Sequence, residues 1–181
     1  MKKLTGTRYP WAVLVEGDDL VVRGEEATWF GGSNDPMDDG RTASGVSTKA
    51  NPHLLGCSLP MDLGPLAKHN PCEGSPLPKL SWFTKVLVTN RDTATSVTVQ
   101  LIDLGPSAPP VATAAIDLTQ AAFRALGGDL KAGRLPVDFR ILGAAKTLGI
   151  AESKPEQPTG SGLTITPNFG AGIEIPDQAV S

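Results

Sequence analysis

Apolar positions in this chain come in short runs whose spacing is that of strands. Trp11-Ala12-Val13-Leu14-Val15 and Leu20-Val21-Val22-Arg23 flank Glu16-Gly17-Asp18-Asp19, and β-branched runs around a Gly/Asp turn predict a hairpin. Residues 27–32 predict a short strand that runs into a Gly/Ser/Asp/Pro loop. Further on, residues 85–90 and 96–102 read as two strands joined through residues 90–95. In the second of these, Val97, Val99 and Leu101 alternate with Thr98 and Gln100, the period-2 pattern of a half-buried strand. One helix is expected up to about Leu126, because the side chain of Asp117 or Thr119 can accept the orphaned N–H groups of its first turn and Gly127-Gly128 stops it. Residues 137–142 return as a strand. Several short strands with a single late helix predict a small barrel rather than a layered α/β sheet.

Between these segments the pattern fades. Residues 34–79 have almost no periodicity and read as one long decorated loop, of a kind that is uncommon unless it is functional or held by a crosslink or a metal. From about Glu152 the composition shifts to Ser, Pro, Gly, Gln and Thr, which predicts a C-terminal tail. Its Leu163-Thr164-Ile165-Thr166 and Ile173-Glu174-Ile175 runs can add edge strands or dock on an assembly partner. The expected organisation is an N-terminal hairpin extension over residues 1–26, a barrel over 27–150 and a Pro/Gly-rich tail over 151–181.

Composition narrows the function classes. With 20 Gly and 16 Pro in 181 residues and only 5% aromatics, a helical bundle is excluded, and no apolar run approaches the roughly 20 residues of a membrane span. A net charge of -3 gives no general attraction for nucleic acid or anionic lipid. Met1-Lys2-Lys3 is similar to the start of an export leader, but the apolar patch that follows covers only residues 11–15. That is shorter than the roughly 7–15 residues of an export core, so no recognisable export signal is expected.

Three segments in order carry a resemblance. Ala27-Thr28-Trp29-Phe30-Gly31-Gly32 followed by Gly40-Arg41-Thr42-Ala43-Ser44-Gly45 resembles the opening of the double-psi β-barrel of rare lipoprotein A. Residues 85–90 and 96–99, Ile102-Asp103-Leu104-Gly105-Pro106 and Ile116-Asp117-Leu118-Thr119 look like its remaining strands and turns. The late segment, with Ala122-Phe123-Arg124, is also similar to the first domain of bacterial expansins. The resemblance covers roughly residues 27–142. It implies a six-stranded double-psi barrel with a groove for a β-linked glycan and a role at the cell wall, most readily on peptidoglycan, with no cofactor required.

Carried over position by position, Asp103 matches the aspartate of the family's Asp-Arg-Gly-Pro turn and Asp117 the aspartate that precedes the helix. Thr28 matches a groove threonine of expansins; Ser44 of the GRTASG run and Trp29 join it as candidate sugar contacts. The residues support the chemistry independently, since a carboxylic acid among apolar neighbours can hold a proton for a leaving glycosidic oxygen near neutral pH. Asp103 lies between Ile102 and Leu104, and Asp117 between Ile116 and Leu118. Plainer roles stand beside these: a turn for Asp103, a helix cap for Asp117, core burial for Trp29 and Trp82, and a solvated turn for Asp35, Asp38 and Asp39. Two positions depart from the family. Leu104 replaces the arginine of the aspartate turn, and Cys57 stands where a histidine is expected, with His53 four residues earlier.

Every His and Cys falls within residues 53–72. His53, Cys57, His69 and Cys72 have spacings close to those of a four-ligand structural zinc site, and a Cys57–Cys72 disulfide is the alternative. Three functions are therefore in play: lytic-transglycosylase-like cleavage of peptidoglycan through Asp103 and Asp117; expansin-like binding and loosening without cleavage, favoured by the two departures; and a structural role in a virion or injection device that carries this barrel to a wall.

Overall fold

A computed structural model describes residues 2–3, 11–33, 35, 39–60, 63, 80–106 and 114–152. The strands are β1 (Lys2–Lys3), β2 (Val13–Glu16), β3 (Asp19–Phe30), β4 (Gly56–Leu59), β5 (Lys85–Asn90), β6 (Ser96–Leu104), β7 (Ile116–Thr119) and β8 (Leu135–Ile141). The described helices are α1 (Gln120–Ala125) and α2 (Ala144–Thr147). Strand order runs β1-β2-β3-β7-β4-β6-β5-β8, and a further β3–β8 pairing closes the last six strands into a barrel. Two of its pairs, β3–β7 and β4–β6, are parallel, and the other four are antiparallel. This is the mainly β, closed six-stranded architecture expected from the sequence. Closure leaves the six barrel strands without an unpaired edge.

The expected hairpin forms between β2 and β3, with Val13 opposite Val22 and Glu16 opposite Asp19, and Gly17 takes a left-handed φ of 59° in its two-residue turn. Its second strand, however, is continuous with the strand expected at residues 27–32. β3 runs unbroken through Glu26 and Ala27 and pairs β8 from Leu20–Ile141 to Ala27–Leu135, so the expected boundary after residue 26 falls inside one barrel strand. A register shift between Val22 and Glu25 accommodates Gly24, whose N–H donates to Asp138.

Alternation fixes what lies inside. Leu135, Val137, Phe139 and Ile141 of β8, Val86 and Val88 of β5, Val99 and Leu101 of β6, and Ile116 and Leu118 of β7 meet in one buried cluster. Phe123 of α1 joins it, fully buried, which contributes about 1.5–3 kcal/mol by area alone. The helix cap is Thr119: its hydroxyl oxygen accepts the Ala122 N–H, so Asp117 does not serve as the cap. α1 ends at Gly127 (φ 82°), and the Asn90 side-chain amide donates to the Leu126 carbonyl at 2.9 Å.

The loop expected over residues 34–79 needs correction. It holds β4, Gly56-Cys57-Ser58-Leu59, wholly buried and placed between β7 and β6. Four residues, two of them Gly and Ser, carry neither the β-branched content nor the alternation that marks a strand. α2, a single turn after left-handed Gly143, is a second helix beyond the one expected. Apart from Ala151 and Glu152, the expected tail lies outside the described residues.

Candidate functional site

Four polar residues on four adjacent strands form a row across the barrel. Thr28 of β3 lies opposite Asp117 of β7, Asp117 opposite Ser58 of β4, and Ser58 opposite Asp103 of β6. Lateral neighbours share a face of a sheet. The flanking residues Ala27, Cys57, Leu59, Leu101, Ile116 and Leu118 fill the interior, so this row looks outward.

A bulge puts Asp103 in the row. Strict alternation would set Asp103 on the same side as Leu101, inside the core. Instead Cys57 pairs Leu101 while the next residue, Ser58, pairs Asp103, and the extra residue Ile102 shifts the face that Asp103 presents. Ile102 is itself fully buried against Gly56, where a Cβ would come within 2.4 Å of the Ile102 Cδ1 atom. Gly56 is thus required by close packing rather than by a turn.

The GRTASG run supplies the support for Asp103. Its Ala43 N–H donates to Asp103 Oδ1 at 2.9 Å, the Leu104 N–H donates to the same oxygen at 2.9 Å, and the Ser44 N–H donates to the Ile102 carbonyl at 3.1 Å. The Thr42 hydroxyl donates to the Val46 carbonyl at 2.8 Å, so the 2.9 Å contact between Thr42 and Ser44 hydroxyls has Ser44 as donor. Ser44 therefore helps hold the turn that holds Asp103.

Asp117 is partly buried, and its Oδ1 accepts a hydrogen bond from the Thr28 hydroxyl. Burial first, and the neighbouring Asp103 charge second, push its pKa from 3.8 up to about 6. The Asp-Leu-Gly-Pro turn folds back over the row: a Cβ at Gly105 would lie 3.4 Å from the Ser58 Oγ and 3.5 Å from Asp117 Oδ2. Gly105 thus brings the backbone of the turn close to Oδ2. Because Thr28 donates to Oδ1, the proton that Asp117 carries belongs on Oδ2, the oxygen on the Gly105 side. Ser58 and Gly105 are the members of this site that sequence reasoning did not single out; Ser58 had no signal, whereas Gly105 stood inside the recognised turn.

The structure brings together Thr28, Asp117 and Asp103, with Ser44 in support. Trp29 is not with them. Next to Thr28 on β3, it takes the other face, packs against the core cluster and donates its indole N–H to the Leu130 carbonyl at 3.0 Å. Trp82 also packs against the core. Asp35 accepts the Gly31 N–H and Asp39 the Arg41 N–H, which makes both turn-closing residues; Asp38 lies outside the described residues.

Cys57, opposite Leu101 and Leu118, is fully buried in the barrel, and desolvation pushes its thiol pKa up, so it stays protonated. His53 is exposed in the turn before β4. His69 and Cys72 lie outside the described residues, and so therefore do the four-ligand set and the Cys57–Cys72 pairing as wholes. Among the described residues no group of three or more His, Cys, Asp or Glu side chains is placed to hold a metal, and none of their helices is long and apolar enough to cross a membrane.

Comparison with protein-family models and with curated proteins gives no match. Among solved structures, the chain is similar to the Streptomyces papain inhibitor, at 19% identity and a TM-score of 0.41 over 65% of this chain and 92% of that one. It is also similar to the apo form of an expansin from Clavibacter michiganensis, at 19% identity and a TM-score of 0.39, and to a point variant of that expansin in complex with cellohexaose, at 20% and 0.38. Each match spans 65% of this chain and 48% of the expansin, so the chain covers about half the expansin's length. Likeness at this level assigns no residue a role.

Proposed function

We propose that this protein binds a β-linked wall polysaccharide across the outward face of β3, β7, β4 and β6 and cleaves it with Asp117 as the acid. The observation that carries this reading is the row of Thr28, Asp117, Ser58 and Asp103 on adjacent strands, in which burial and the Asp103 charge push the Asp117 carboxyl up to about 6. A general acid performs best when its pKa lies near the working pH. In the step proposed, the Asp117 Oδ2–H proton passes to the glycosidic oxygen as the C1–O bond breaks. The Asp103 carboxylate stabilises the positive charge that develops on the sugar. Asp117, now ionised, takes a proton back from the hydroxyl that attacks C1. On peptidoglycan that hydroxyl belongs to the same sugar, and an anhydro end results.

Leu104, where the resemblance expects arginine, favours a second reading in which the same face binds and loosens the wall without breaking bonds. Carriage to the wall on a virion or injection device is compatible with either.

The test is incubation of the purified protein with peptidoglycan sacculi, followed by mass spectrometry of soluble muropeptides. Anhydro-muropeptides from the native protein and none from Asp117→Asn are expected. Sedimentation with sacculi but no soluble product would move the reading to binding alone, and neither release nor sedimentation would overturn both.

A further inference from the structure

A cavity beside Trp29, open to solvent, plays no part in the acid site. Its volume is about 510 Å³ and it is lined by Trp29, Arg124, Gly128, Asp129, Leu130 and Lys131. That volume lies within the roughly 300–1,000 Å³ typical of small-ligand sites. The indole N–H is committed to the Leu130 carbonyl, which fixes the ring in the cavity wall. Gly128 is fixed by packing, because a Cβ there would come within 2.3 Å of the buried Phe123 ring and 2.8 Å of the Phe123 carbonyl oxygen. The Asp129 carboxylate closes its own turn by accepting the Lys131 N–H at 2.9 Å. Among the described residues, neither the Arg124 guanidinium nor the Lys131 ammonium has an ion-pair partner.

We propose that this cavity is a second saccharide site built for an anionic sugar, with Trp29 as the stacking platform and Arg124 and Lys131 as the anion contacts; the inference rests on the glycan reading above. A pyranose ring offers C–H groups to an aromatic face, and a guanidinium and an ammonium select the sugar that also bears a carboxylate or phosphate. Arg124 also lines a smaller cavity of about 130 Å³ with Phe30, Thr48, Asn51 and Thr119. Phe30 and Thr119 pair with each other, two positions beyond the Thr28–Asp117 pair on the same strands. Arg124 thus borders both cavities, and the smaller one adjoins the strands that carry Thr28 and Asp117.

Titration calorimetry of the full chain with three probes at low salt tests this: chitohexaose, neutral; a hyaluronan hexasaccharide, with carboxylates on alternate sugars; and a short poly(glycerol phosphate), with phosphates but no sugar ring. The hyaluronan oligomer is expected to bind at least about tenfold more tightly than chitohexaose. Arg124→Gln and Lys131→Gln should each remove most of that margin, and the Trp29 indole N–H resonance should shift on hyaluronan binding. If poly(glycerol phosphate) binds as tightly and with the same dependence on Arg124 and Lys131, the anion recognised is phosphate and the stacking role of Trp29 is overturned. Equal binding of chitohexaose and hyaluronan, or a margin that survives both substitutions, would overturn the proposed site and leave the glycan reading standing. No binding of any sugar would overturn both.

Discussion

Asp117→Asn separates the acid reading from a purely structural one by its effect on stability against pH. The ordinary carboxyl value of 3.8 holds in the unfolded chain, and burial followed by the Asp103 charge raises it to about 6 in the folded one. Below the unfolded value both states hold the proton and the group adds nothing to the pH dependence. Between about pH 4 and pH 6 the folded state keeps a proton that the unfolded state has released, so stability falls as pH rises, and above the folded value the loss is complete. At 1.36 kcal/mol per pH unit, the displacement from 3.8 to about 6 is worth about 3 kcal/mol. Asparagine keeps an oxygen for the Thr28 hydroxyl and cannot ionise. The variant should match the native protein at about pH 4 and exceed it by up to about 3 kcal/mol at about pH 8. Urea unfolding followed by circular dichroism at several pH values measures this directly. A native-to-variant difference that stays constant across that range, or a variant that is less stable at neutral pH, would refute the claim that Asp117 is held as an acid.

The other perturbations follow from the same geometry. Asp103→Asn keeps an oxygen for the Ala43 and Leu104 N–H groups but removes the charge, so the Asp117 pKa should fall part of the way towards 3.8, burial being the larger cause; carboxyl carbon NMR against pH reads it. Gly56→Ala forces a Cβ into the Ile102 side chain and should cost about 1–3 kcal/mol in a denaturant melt, with Ile102→Val in the same chain recovering part of it. Phe83, 48% exposed with a left-handed φ of 65°, is a bulky residue in a region that favours Gly or Asn. Phe83→Asn should raise stability by about 1 kcal/mol, and a loss of similar size would show that the ring holds something in place.

Most of the barrel was legible because its strands have one wet and one dry face. β5, β6 and β8 repeat apolar residues at every second position, and the β2–β3 turn carries its glycine where the backbone needs a positive φ. β4 was not legible, because a strand buried on both faces and only four residues long loses the alternation that announces it. The continuity of β3 was hidden by Arg23-Gly24-Glu25-Glu26, a polar stretch that reads as a break yet rides the outer surface of one strand. At the site, the two aspartates and Thr28 were recoverable from motifs. Their meeting depends on the register shift at Ile102, which no local pattern encodes: extended by simple alternation, β6 would bury Asp103 beside Leu101. Trp29 is not beside Asp117 for the complementary reason, since neighbours on one strand face opposite ways.

The cap at Thr119 and the raised pKa of Asp117 are two sides of one arrangement. A carboxyl just before a helix is ordinarily spent on the cap, where bonds from backbone N–H groups favour its charged form. Here Thr119 takes that duty, and it also accepts the Gly56 N–H and donates to the Leu54 carbonyl, which pins the start of α1 to β4. Asp117 is left with one hydroxyl donor, apolar neighbours on its own strand and a like charge two strands away. Burial and that like charge keep the proton on Asp117 closer to neutral pH, and release from the cap is what leaves the carboxyl available as a general acid; the pH profile of Asp117→Asn is where that reasoning is tested.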